Sequence, residues 1–159
     1  MRTAFEFDVH TAASPAQVVE LLTDFSANRP NRWPALSARS YEVYSVGDTE
    51  AVVLEGQDFP KIYATWHYDW SVPGTVRMTV TESPYLAAGS FHVVTATAAP
   101  DGGSDVHGIW DNTARNLAAR VSLLLMRVMG RRFFTVYYRK VFDGLVGGAA
   151  ADGGGDGGI

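Results

Sequence analysis

Cysteine is absent from the 159 residues, which excludes disulfides, a thiol nucleophile and any zinc or iron–sulfur centre built on cysteine. No apolar run exceeds four residues, as in "LLLM" at 123 to 126, so none approaches the ~20 that cross a bilayer as a helix. The amino terminus, "MRTAFEFDVHTAASP", lacks the continuous apolar stretch of a secretory signal. Basic residues are outnumbered 13 to 17, and a net charge of −4 argues against a general nucleic-acid binder, because phosphate binding needs a basic surface. P-loop, dinucleotide and G-x-S-x-G motifs are missing as well. The four histidines, His10, His67, His92 and His107, fall on separate predicted strands without ligand spacing. These absences predict a cytoplasmic protein with no metal, cofactor, nucleic-acid partner or transmembrane segment.

What is present is apolar and aromatic. At 47% hydrophobic and 12% aromatic residues, the chain can bury one substantial core. "FEFDVH" at 5 to 10 reads as a strand. In "TAASPAQVVELLTDF", Ser14 is placed as an N-cap, Pro15 as the first helical residue and Gln17 as the capping-box partner. Val18, Leu21, Leu22 and Phe25 then share one helix face. "SANRPNRWPAL" predicts a loop or short broken helix anchored by Trp33 and Leu36. From Arg39 to Thr113 strands alternate with the turns "GDTE", Pro73–Gly74, Ser83–Pro84 and "PDGGS", the pattern of an antiparallel meander. From about Thr113 to Leu145 the chain is helical. Leu117, Val121, Leu124 and Val128 form one stripe, and Phe134, Tyr137, Tyr138, Val141 and Leu145 form another. At ~100° per residue the second is rotated from the first, and Gly130 at the junction predicts a kink or break. The long helix is the only large element able to cover the sheet's apolar face.

This order resembles the START-like helix-grip (SRPBCC) superfamily, and within it the polyketide cyclase/dehydrase branch. The resemblance is carried by "ASPAQVVELLTDF", "RPNRWPAL", "YDWSVPGTVRMTVTES", "AAGSFHV", "DGGSDVHGIW" and "GRRFFTVYYRKVFDGL". It implies an α+β fold: a curved antiparallel sheet of about six to seven strands wrapped around a long C-terminal helix, with two short helices after the first strand. Residues 1–146 form the single expected domain, and the Gly/Ala/Asp stretch 147–159 is expected to be a disordered tail. The superfamily includes ligand carriers and polyketide aromatase/cyclases, with no shared catalytic motif to transfer.

The stretch "YATWHYDWSVPG" at 63 to 74 holds most of the candidate chemistry. Period-two alternation puts Trp66, Tyr68 and Trp70 on the inner face, and His67 and Asp69 on the solvated face as a surface pair. Met78 follows on the next strand. With Trp33 and, from the helix, Val121, Leu124, Leu125 and Val128, these are the expected ligand-binding residues. Rings with polar tips suit an aromatic or polycyclic ligand held between sheet and helix. The alternative is an aromatase/cyclase-type enzyme using the same pocket, with His92, His107, Tyr68 and Arg115 as the residues to test. Glu55 and Asp58 stand as acids that could reach the mouth.

Charge is unevenly placed. Seven bases lie from Arg115 to Lys140 with no acid among them, and all 17 acids lie outside that segment. A solvated helix face explains this, and contact with an anionic membrane or an acidic carrier protein is the sharper reading.

Overall fold

The computed structural model describes residues 1 to 152, with side chains through Gly147. Strand β1 (Arg2–Thr11) is followed by α1 (Pro15–Leu22), α2 (Arg29–Arg32) and a single 3₁₀ turn (Ala38–Ser40). Six strands come next: β2 (Tyr41–Val46), β3 (Glu50–Asp58), β4 (Lys61–Asp69), β5 (Thr75–Glu82), β6 (Phe91–Ala98) and β7 (Ser104–Thr113). Helix α3 (Leu117–Asp152) closes the fold, so the boundary expected at 147 falls within it, and 153–159 lie outside the described residues. The strands form one antiparallel sheet in the order β1-β7-β6-β5-β4-β3-β2. Its concave face grips α3, which is the α+β helix-grip arrangement.

Local signals act as their chemistry dictates. Ser14 Oγ accepts from Gln17 N (3.3 Å) and Ser14 N donates to Gln17 Oε1 (2.8 Å), completing the capping box of α1. That helix buries Val18, Leu21 and Leu22 against one end of the sheet. Phe7 on β1 and Phe142 on α3 are fully buried in the same core, each worth roughly 2–3 kcal/mol in burial.

Helix α3 departs from the expected two-stripe pattern. It runs unbroken through Gly130, and one inward stripe, Ala119, Leu123, Met126, Gly130, Phe134, Tyr138 and Phe142, advances by threes and fours along its length. Gly130 is a contact rather than a break: a Cβ there would lie 2.5 Å from Phe5 Cε1, so only glycine lets that ring rest on the helix. Leu117, Val121, Leu124, Leu125 and Val128 point outward and are more than half exposed, Val128 by 81%. The expected inward placement of these residues is therefore corrected. The helix is apolar around much of its circumference, and the buried positions include the small Ala119, Ser122 and Gly130.

Candidate functional site

Between the concave sheet and α3 lies a cavity of about 430 Å³. Its size and apolar walls suit one small molecule. Trp33, Trp66, Tyr68 and Met78 are among the residues that line it. Trp70 does not: it packs beside Phe25, with ring centroids 5.9 Å apart, at the end of β4 where the strand leaves the sheet. Val121, Leu124, Leu125 and Val128 lie outside it, and from α3 the walls are instead Ser122, Leu123, Met126, Phe133, Phe134 and the tyrosines 137 and 138.

One wall is a cage of rings around His92. The imidazole sits 4.9 Å from the Trp66 ring and 5.4 Å from Trp110, nearly parallel to the latter, with Phe134 edge-on at 6.5 Å. The antiparallel register sets this up: His92 pairs with both Met78 and Trp110, placing β5, β6 and β7 side chains in one inward row. His92 is half-buried and lines the cavity. Burial pulls its pKa down to about 3, so the ring is neutral at ordinary pH. Its Nε2 lies 3.1 Å from Asn112 Nδ2. With the amide donating, Nε2 accepts and the ring proton sits on Nδ1. Asn112 Oδ1 is then buried with no hydrogen-bond partner among the described residues. Turning the amide over would only exchange which Asn112 atom is left open. Trp33 Nε1 is likewise buried without a partner among the described residues, and both residues line the cavity. Unmet buried polar groups are uncommon, because each costs about 1–3 kcal/mol.

A second polar cluster is closed. Arg29 on α2 donates from Nε to Glu55 Oε1 (2.5 Å) and from Nη2 to Tyr68 OH (3.1 Å), while Tyr68 OH donates to Glu55 Oε2 (2.6 Å). Arg29 Nη1 also donates to the carbonyls of Leu22 (2.9 Å) and Asp24 (3.1 Å). Burial works against the Arg29 charge, but Tyr68 and Glu55 outweigh it and the pKa rises. Burial, reinforced by Glu55, pushes the Tyr68 phenol well up, so it stays a neutral donor. The cluster ties α2 to β3 and β4.

The remaining candidates disperse. His107 is on the convex face, its Nδ1 2.8 Å from Asp8 Oδ1, because Val106, Gly108 and Trp110 take the inward positions of β7. Arg115 donates to the Ser83 carbonyl (2.8 Å), joining the start of α3 to the loop after β5. His67 is on the outer face as expected, but its partner is Glu50 across the strand pair (3.0 Å), while Asp69 accepts from Ser71. Asp58 accepts from Ser37 at the surface. Sequence reasoning passed over Arg29, Trp110 and Asn112. The inward phase of β7 is hidden by Gly108, whose absent side chain admits the Phe7 ring. Among the described residues no histidine–carboxylate group is arranged to hold a metal ion, and no helix is long and apolar enough to cross a membrane.

No family model matches the sequence, and no curated protein matches it significantly. Solved structures do match. The Zhui aromatase/cyclase from Streptomyces sp. R1128 superposes with a TM-score of 0.72 at 17% identity, covering 100% of both chains. A START superfamily protein from Mycobacterium smegmatis gives 0.66 at 9% identity over 89% of this chain and 94% of that one. Norcoclaurine synthase from Thalictrum flavum, solved with dopamine and hydroxybenzaldehyde, gives 0.65 at 9% over 92% and 87%. The fold is thus the helix-grip fold that these solved structures share.

Proposed function

We propose that this chain binds a hydrophobic aromatic or polycyclic small molecule in the cavity between the sheet and α3. The observation that carries the reading is a ring-lined cavity in which two lining residues, Trp33 and Asn112, each keep a buried polar atom without a partner among the described residues. A flat ligand stacks among Trp66, Trp110 and Phe134. It offers an acceptor to the Trp33 N–H and a hydroxyl to the Asn112–His92 side. Each such bond recovers a polar group left unmet in the empty protein, so hydroxylated aromatics bind more tightly than the bare hydrocarbon. Ligand titration by tryptophan fluorescence, backed by native mass spectrometry, tests this with paired probes such as naphthol and naphthalene. Trp66→Ala should weaken both by about tenfold or more. Asn112→Leu should weaken only the hydroxylated probe. Equal affinity for both probes, or no binding of either, would remove the reading.

One observation favours a second reading, a cyclase-type enzyme acting on a polyketide-like chain. His92 is a titratable side chain on the cavity wall outside the closed Arg29 cluster. Held neutral with its ring proton on Nδ1, it is a weak base but can donate a hydrogen bond to an oxyanion that develops on a bound carbonyl. Turnover of a reactive poly-β-keto substrate that falls in His92→Phe while binding persists would establish it. Turnover unchanged in that variant would exclude His92 from the chemistry.

A further inference from the structure

The outward face of α3 is unlike an ordinary solvated helix face. Leu117, Val121, Leu124, Leu125 and Val128 recur there at helical spacing, all more than half exposed. The apolar surface continues through Met129 and Val136 to Phe133, which borders the cavity together with Phe59 on the β3–β4 turn. Phe59 is 97% exposed, an unusual position for phenylalanine unless something covers it. Around this surface stand Arg120, Arg127, Arg132, Arg139 and Lys140, all exposed and, among the described residues, without a carboxylate in salt-bridge range. Arg115 is occupied by Ser83, and Arg131 faces Glu6 and Asp8 of β1 across a shallow dip, so neither is counted.

We infer that this face docks the protein on an anionic bilayer surface, with the apolar stripe and Phe59 at the headgroup–acyl boundary and the cavity mouth turned toward the lipid. Charge complementarity selects the occupant. A second copy packed through the same stripe would set like-charged arginines against each other. A neutral bilayer would leave them unpaired. No acid lies between Arg115 and Lys140, so an anionic surface favours this part of α3 over the acidic remainder of the sequence. An exposed helix face with protruding Leu, Val and Phe flanked by arginines suits the membrane interface rather than a crossing of it. The geometry places the mouth where an apolar ligand passes between membrane and cavity without crossing water.

The test is co-sedimentation of the full chain with vesicles of phosphatidylcholine alone and of equal parts phosphatidylcholine and phosphatidylserine. Binding is expected only to the anionic vesicles and should weaken with salt. Arg120→Ala with Arg127→Ala should lower partitioning roughly fivefold per arginine, about 25-fold for the pair. Leu124→Glu with Val128→Glu should abolish it while leaving thermal unfolding unchanged, since both side chains are exposed in the free protein. Absence of binding, equal binding to both compositions, or binding that survives both pairs of substitutions would overturn the inference. So would light scattering that shows a dimer lost on Val128→Glu without vesicle binding, which would make the stripe an interface between copies. Arginine-dependent capture of an acidic carrier protein with vesicles ignored would assign the face to a protein partner instead. The vesicle assay needs no cavity ligand, so it fails or succeeds independently of the cavity reading.

Discussion

The two buried polar clusters of this protein have opposite characters. Arg29, Glu55 and Tyr68 bond one another and two backbone carbonyls, so every side-chain nitrogen and oxygen of the charged pair has a partner. His92 and Asn112 share a single hydrogen bond and leave a polar atom open, in a wall otherwise made of rings. Both line the same cavity. A closed network holds elements in place, whereas an open one is completed by something else. Proximity to a cavity does not by itself make a charged residue functional.

Breaking the closed cluster should have the larger effect. Arg29→Ala leaves the Glu55 carboxylate buried without its counter-charge, at an expected cost of about 3–5 kcal/mol in urea denaturation. Replacing the whole set by apolar residues of similar size, Arg29→Met with Glu55→Leu and Tyr68→Phe, should cost far less than the single change. A loss below about 1 kcal/mol for Arg29→Ala would mean the cluster is more hydrated than its geometry shows, and the contrast with His92 would collapse.

The open cluster should announce itself through pH. His92 has an ordinary value of 6.5 and is held at about 3 by burial. The unfolded chain therefore takes up this proton below about 6.5, while the folded protein does so only near 3. His92 leaves stability untouched above 6.5. As pH falls through the window from 6.5 to 3, stability drops by about 1.4 kcal/mol per unit. His10 acts in the reverse sense: the hydrogen bonds it donates to Asp105 and Asp101 raise its pKa, so its contribution is present below 6.5 and lost as pH rises through the raised value. Denaturation of the parent and of His92→Gln across this range isolates the His92 contribution as the difference between the two curves. Parallel curves would show that water already reaches the ring.

Much of the fold was legible because its signals are local. Ser14, Pro15 and Gln17 start α1, turn dipeptides end the strands, and alternation along β4 puts Trp66 and Tyr68 inward. The site was less legible because its determinants are tertiary. Arg29 sits in "SANRPNRWPAL", which reads as solvated loop, and its partner is 26 residues away. On β6 the two faces, His92–Val94–Ala96 and Phe91–Val93–Thr95, are nearly equally apolar, so periodicity does not choose between them. On the first half of α3 the leucine and valine stripe was the wrong guide, whereas Phe134 and Tyr138 do face inward. The helix turns small side chains toward the sheet where Phe5 and Trp110 fill the space, and leaves leucines and valines outside.

The smallest expected effect is the most informative about the comparison. Asn112→Leu removes one hydrogen bond to His92, worth about 1 kcal/mol, and while it leaves His92 Nε2 unmet it also removes the unmet Asn112 Oδ1, whose cost is of similar size. The two nearly cancel, so the urea midpoint should move by no more than the equivalent of about 1 kcal/mol, several times less than for Arg29→Ala. The same variant should lose its preference for hydroxylated ligands. A large stability loss would instead mean that Asn112 is bonded in the native protein to something that fills the cavity permanently, and the cluster would then be closed like that of Arg29. Little change in stability together with lost ligand discrimination would separate the two clusters by role: one braces α2 against the sheet, and the other reads what enters the cavity.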